Sequence, residues 1–167
     1  MKKKLRLLLS AECNRDCPMC CNKYYNLDKL PVETDYAQYD EIYITGGEPM
    51  IHMNLLIETI INIRISSSAK IFVYTAKVDN LGDAMTILTI TDGMTLTLHT
   101  KDDVEDFREF NDEMLKSELN RSLRLNVFRG VAPLGYFDGD EMWRVQEDMV
   151  WVKDCPVPDG EVFRRLG

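Results

Sequence analysis

The stretch Leu5–Asn26, LRLLLSAECNRDCPMCCNKYYN, decides how the rest of the chain is read. It places four of the five cysteines, Cys13, Cys17, Cys20 and Cys21, within nine residues. Leu5–Ser10 has the apolar character of a strand, and Asn14, Arg15, Asp16 and Pro18 make the segment after it a polar loop. Thiolates are soft ligands that hold zinc or iron–sulfur clusters. A structural zinc site takes four ligands, commonly two C-x2-C pairs or one pair with histidines. Cys17 and Cys20 supply one pair, no second pair exists, His52 and His99 are isolated, and Cys155 is far away in sequence. Three thiolates spaced C-x3-C-x2-C without an evident fourth fit a four-iron cluster with one iron left open. On the loop alone, zinc remains the alternative.

Bulk properties narrow the setting. A chain of 167 residues reads as a single domain over 1–167, able to bury roughly 70% of its unfolded surface. Hydrophobic residues make up 45% and the formal net charge is -8, which argues against non-specific attachment to nucleic acid or an anionic membrane. The opening MKKKLRLLLS resembles a signal peptide only briefly, because its apolar run is short and carries Arg6. No run of residues is apolar for long enough to span a bilayer. These features predict a cytoplasmic protein, where clustered cysteines more often hold metal than disulfides.

Outward from the cysteine loop, strand-like runs alternate with helical patterns. Strands are expected at Leu5–Ser10, Glu41–Thr45, Lys70–Thr75, Met94–Thr100 and Ser122–Phe128, with Asp148–Val152 as a sixth candidate. Met53, Leu56, Ile57, Ile60 and Ile61 recur at helical spacing, a short helix is expected near Asp79–Met85, and Lys101–Leu119 opens with acidic residues suited to a helix N-terminus. Such alternation predicts an α/β fold of parallel βαβ units, in an open sheet or a partial barrel. Cys21–Asp40 shows little helical periodicity, so the first helix is shortened or absent. In the fourth strand Thr95, Thr97 and His99 oppose Leu96 and Leu98. In the fifth, Arg124, Asn126 and Phe128 oppose Leu123, Leu125 and Val127. Parallel strands covered on both faces read as continuously apolar, so a polar face predicts a wet cavity or a ligand, with solvent exposure at a sheet edge as the alternative.

The segment ITGGEPM, Ile44–Met50, ends the second strand. Paired glycines there let backbone approach a ligand closely, beyond the carboxyl ends of parallel strands where ligands sit. Glu48 adds a carboxylate suited to an ammonium group, and Pro49 stiffens the turn.

Together, Cys13-Asn14-Arg15-Asp16-Cys17-Pro18-Met19-Cys20 and Gly46-Gly47-Glu48-Pro49 make the sequence resemble the radical S-adenosylmethionine (radical SAM) superfamily. The resemblance implies a partial (βα)5-6 barrel of parallel strands, shortened relative to the full barrel of that superfamily. It implies that Cys13, Cys17 and Cys20 hold a [4Fe–4S] cluster whose fourth iron is chelated by the amino and carboxylate groups of SAM. Reductive cleavage of SAM to methionine and a 5′-deoxyadenosyl radical is the implied reaction, with hydrogen abstraction from an unidentified substrate. The Gly46–Pro49 loop receives the SAM amino group, and Met19 takes the place of a residue packing near the adenine. Weaker matches make Thr75, Thr97 and Asn126 SAM contacts; His99 and Arg124 are expected nearer the substrate. Arg124 is suited to an anionic substrate group, the SAM carboxylate or a structural acid. A one-electron donor such as flavodoxin or ferredoxin is the implied partner. No motif is recognised in 130–167, and Cys21 and Cys155 read as a bystander and a structural thiol, too few for an auxiliary cluster. A glycyl-radical-enzyme activase and a non-catalytic iron–sulfur or SAM-binding protein are the alternatives.

Overall fold

The computed structural model describes residues 3–167. In chain order its elements are β1 (Lys4–Leu8), β2 (Glu41–Thr45), α1 (Met53–Ser66), β3 (Lys70–Thr75), α2 (Leu81–Ile90), β4 (Gly93–Leu98), α3 (Asp102–Lys116), β5 (Ser122–Phe128), β6 (Trp143–Met149) and β7 (Glu161–Arg165). The fold is α/β, and the strand pairs described within each unit below are parallel. The chain divides into two compact units, Met1–Val73 with Trp151–Gly167, and Tyr74–Val150. No helix among the described residues is long and apolar enough to cross a membrane.

In the first unit the strand order is β3-β2-β1-β7. Alternate residues bury one face: Leu5 pairs with Ile42, Leu7 with Ile44, Ile42 with Ile71 and Ile44 with Val73, and none of these side chains is exposed. Each such burial is worth about 1.5–3 kcal/mol. Side chains alternate faces along a strand, so the intervening residues form a different row, Phe163, Arg6, Tyr43 and Phe72. Arg6 is ion-paired to Glu161 at 2.6 Å, and the Tyr43 and Phe72 rings stack at 5.3 Å. Helix α1 buries Leu56, Thr59, Ile60 and Ile63, whereas Ile61 is about half exposed. Of the expected Met53, Leu56, Ile57, Ile60 and Ile61, Leu56 and Ile60 are buried, and the face is completed by Thr59 and Ile63 rather than by Met53, Ile57 and Ile61.

Between the cysteine loop and β2, where a first helix is weak in sequence, the chain makes only short 3-10 turns at Cys21–Tyr24, Leu27–Lys29 and Tyr36–Gln38. Glu33 holds this irregular segment. Its buried carboxylate accepts hydrogen bonds from the Tyr39 hydroxyl at 2.5 Å and from the backbone N–H groups of Thr34 and Asp35. Burial would raise the Glu33 pKa, but these three donors outweigh it and hold the group below the ordinary carboxylate range.

In the second unit the order is β4-β5-β6. Met94, Leu96 and Leu98 of β4 align with Leu123, Leu125 and Val127 of β5, and all are buried. Trp143 continues the row on β6. Its ring meets Phe107 and Phe110 of α3 edge-on at 5.2 and 6.0 Å, and its indole N–H donates to Asn111 at 2.8 Å. The apolar face therefore turns toward α3. Asp103 accepts from the backbone N–H groups of His99 and Thr100 at the start of α3, as an acidic first turn should.

Two strand assignments need correction. The sixth strand is Trp143–Met149, not Asp148–Val152, and Glu161–Arg165 forms a strand the sequence did not announce. Both carry charged residues at alternate positions, WRVQEDM and EVFRR, so neither presents an uninterrupted apolar run. Strand β7 exists because β1 offers it a hydrogen-bonding edge, a partner more than 150 residues away in sequence.

Candidate functional site

The cysteine loop begins where β1 ends. Leu9 N–H still donates to Thr45 O at 2.8 Å, and the ladder then continues past both strands. Gly47 N–H donates to Ser10 O and Glu48 N–H to Glu12 O, each at 2.8 Å. The Gly46–Pro49 loop is thus bonded backbone to backbone with the residues that lead into Cys13. This gives the paired glycines a job besides the one expected of them. A Cβ on Gly46 would lie 2.4 Å from Ser10 O, and one on Gly47 only 1.9 Å from Glu12 O. What approaches the glycines closely in this structure is the cysteine loop itself.

Glu48 is buried, and its carboxylate accepts from Met50 N–H at 3.0 Å, capping the 3-10 turn Pro49–Ile51 that Pro49 opens.

Cys13, Cys17 and Cys20 are free thiols, Cys13 exposed and the other two half-buried. Arg15 N–H points at the Cys13 sulfur at 3.4 Å, and Cys20 N–H donates to Cys17 O at 3.3 Å. Lys23 braces the loop, donating to Cys17 O at 2.9 Å and to Asp16 at 2.8 Å. Burial pushes the Cys17 thiol up, and the neighbouring Cys20 and Cys13 sulfurs push it the same way. Among the described residues no three His, Cys, Asp or Glu side chains converge on a single-ion site. A four-iron cluster distributes its cysteines over separate irons, so neighbouring thiols on a turn-rich loop suit it in donor chemistry. Met19, between Cys17 and Cys20, is half-buried.

The expectation that Cys21 and Cys155 are separate thiols does not hold. They form a disulfide with Cα atoms 5.2 Å apart, across 134 residues. The Tyr25 hydroxyl donates to Cys155 O at 2.6 Å, and its ring meets Phe163 edge-on at 5.2 Å. This pairing takes Cys21 out of competition with its neighbour Cys20. A bond closing so long a loop is worth about 4–5 kcal/mol in the chain-entropy picture. Cys155→Ser is expected to lower the stability of the protein by an amount of that order, read by denaturant titration under non-reducing conditions. Equal stability of variant and parent would show that the bond contributes nothing.

The remaining site candidates lie in the second unit. The Thr75 hydroxyl is engaged in its own turn, accepting from Lys77 N–H at 2.9 Å, which leaves it less suited to a ligand than its position suggested. His99 stacks on Phe128 at 5.0 Å. Thr97 and Asn126 are register partners on the face away from α3, and Thr95 and Arg124 form the next pair. Thr95, Arg124 and Asn126 line a cavity of about 440 Å³ together with Tyr74, Arg144 and Gln146. Arg144 and Gln146 escaped the sequence reading because β6 did. Their alternation with Trp143 and Val145 was the available signal.

Comparison with protein-family models and with curated proteins finds no match for this chain.

Proposed function

We propose that the protein is a radical SAM enzyme acting on a substrate yet to be identified. The observation that carries the proposal is the pairing of its two motifs. A loop with three free thiols is seated by backbone hydrogen bonds on the Gly-Gly-Glu-Pro loop of the adjacent parallel strand. The partial (βα)5-6 barrel belongs to the same proposal, supported by parallel strands and intervening helices.

In this reading Cys13, Cys17 and Cys20 hold a [4Fe–4S] cluster. Arg15 N–H tunes the Cys13 sulfur and Lys23 stiffens the loop around Cys17. When bound, the cluster supplies one electron to SAM, splitting it into methionine and a 5′-deoxyadenosyl radical that takes a hydrogen atom from the substrate. The chain's own contribution is placement. Gly46 and Gly47 admit the cysteine loop, Glu48 offers a buried carboxylate to the SAM amino group, and Met19 gives the adenine an apolar neighbour. Thr97 and Asn126 contribute polar groups toward SAM, His99 and Arg124 toward the substrate. Flavodoxin or ferredoxin is the expected electron donor.

The test is anaerobic incubation of iron-reconstituted protein with SAM and dithionite, following 5′-deoxyadenosine by mass spectrometry. Formation of 5′-deoxyadenosine that requires both the iron and the reductant is the expected result. Iron-loaded protein that binds SAM without cleaving it would be a binding protein, and the enzymatic reading would fall.

A further inference from the structure

Among the described residues Arg124 and Arg144 are the arginines with no hydrogen-bond, ion-pair or ring partner. The others donate to carboxylates or carbonyls, as Arg6, Arg64, Arg108, Arg121, Arg129, Arg164 and Arg165 do, or are otherwise engaged, as Arg15 is. The two unpartnered arginines are not scattered. They are direct register partners on β5 and β6, and both line the 440 Å³ cavity of the second unit. One residue pair further along, Asn126 faces Gln146, and across β4 the rows are completed by Thr95 beside Arg124 and Thr97 beside Asn126. No aspartate or glutamate lines the cavity.

Neighbouring strands stand about 4.8 Å apart, so these two cations are rooted side by side. Like charges directly opposite on a sheet are destabilising. The protein carries a net charge of -8 and elsewhere pairs Arg6, Arg108 and Arg129 with carboxylates. Leaving two arginines opposed and unpaired breaks a local rule, and such breaks concentrate at functional sites.

We propose that Arg124 and Arg144 form a clamp for the phosphate group of a small phosphorylated molecule, with Asn126 and Gln146 bonding to polar groups beside it. Two guanidinium forks bring two charges and many N–H donors. A phosphate monoester, with three acceptor oxygens and nearly two negative charges at neutral pH, uses both forks; one fork already satisfies a carboxylate. The cavity volume lies within the range of small-molecule sites, about 300–1,000 Å³. That the phosphate belongs to the substrate of a SAM-dependent reaction rests on the function proposed above. The clamp itself rests on residues of the second unit alone.

The test is titration of the full chain, free of iron and SAM, with inorganic phosphate at constant low ionic strength, followed by backbone amide NMR. Saturable shifts centred on residues 95–97, 124–126 and 144–146 are expected. Arg124→Gln and Arg144→Gln should each weaken binding about tenfold or more, the scale of a charge-assisted hydrogen bond. Acetate at matched ionic strength should leave the same amides nearly unmoved. Should either glutamine variant misfold by circular dichroism, Arg124→Lys and Arg144→Lys keep the charge but lose the fork, and each should still weaken binding. Unchanged affinity in the folded variants, absence of saturation, or equal binding of acetate would overturn the proposal. Because no iron or SAM is present, a failure of SAM cleavage leaves this result untouched, and the reverse is also true.

Discussion

Anaerobic reconstitution is expected to load about four irons per chain on a site-differentiated cluster, and Cys13→Ala, Cys17→Ala and Cys20→Ala should each abolish the brown chromophore. Among the described residues there is no fourth free thiol to replace a lost one. Cys21, the nearest other cysteine in sequence, is bound to Cys155, and His52, which the fold brings to the loop, is engaged with Glu12 at 3.1 Å. Cys21→Ala and Cys155→Ala should retain the chromophore while losing the stability of the disulfide. Iron quantification and the visible spectrum read both arms. Stoichiometric zinc in protein that resists iron loading would sink the cluster assignment. Retention of full iron content in any one of the three variants would remove that residue from the ligand set.

The second large effect is expected at Gly47. If Gly47 only cleared space for SAM, a side chain there would block SAM and spare the cluster. The geometry alters that expectation. A Cβ at Gly47 would lie 1.9 Å from Glu12 O, 2.3 Å from Glu12 C and 2.7 Å from Ala11 O. These are backbone atoms one and two residues before Cys13, and they cannot rotate away as a flexible side chain would. Gly47→Ala must push the cysteine loop off its seat, breaking the bonds from Gly47 N–H to Ser10 O and from Glu48 N–H to Glu12 O. A cost of about 3 kcal/mol, the upper part of the range for overpacking, is expected. Iron loading and SAM binding should fall together in this variant. Retained iron with lost SAM affinity would restore the simpler reading, in which the glycine clears space for the ligand alone.

The coupling of the two motifs bears on how the site is built. The thiol-bearing loop has little regular structure of its own, and its ends are held by the ladder that extends β1 and β2. Position is supplied by rigid strands and chemistry by the loop they carry, the usual division where ligands must be placed accurately. The disulfide and the Tyr25 contacts tie the chain just after Cys20 to the C-terminal segment, so both flanks of the loop are anchored.

What the sequence determined by itself was local. The apolar periods of β1 to β5, α1 and α3 were legible because each buries a face whose spacing is set by the strand or helix repeat. The cysteine spacing and the Gly-Gly-Glu-Pro loop were legible because few contexts need those residues in that order. The alternation of Leu123, Leu125 and Val127 with Arg124 and Asn126 told which face would be buried, since a one-residue slip exchanges the two. Other features depended on distant partners. Strand β7 needs the free edge of β1, the Cys21–Cys155 bond needs two segments 134 residues apart to meet, and the seating of Gly46 and Gly47 needs the backbone of Ser10 and Glu12. The opposition of Arg124 and Arg144 likewise exists only once β6 pairs with β5 in its particular register. A sequence records what each residue brings to its own element. Which elements lie side by side follows from the closure of long loops and the shared burial of their apolar faces, and only the folded chain decides it.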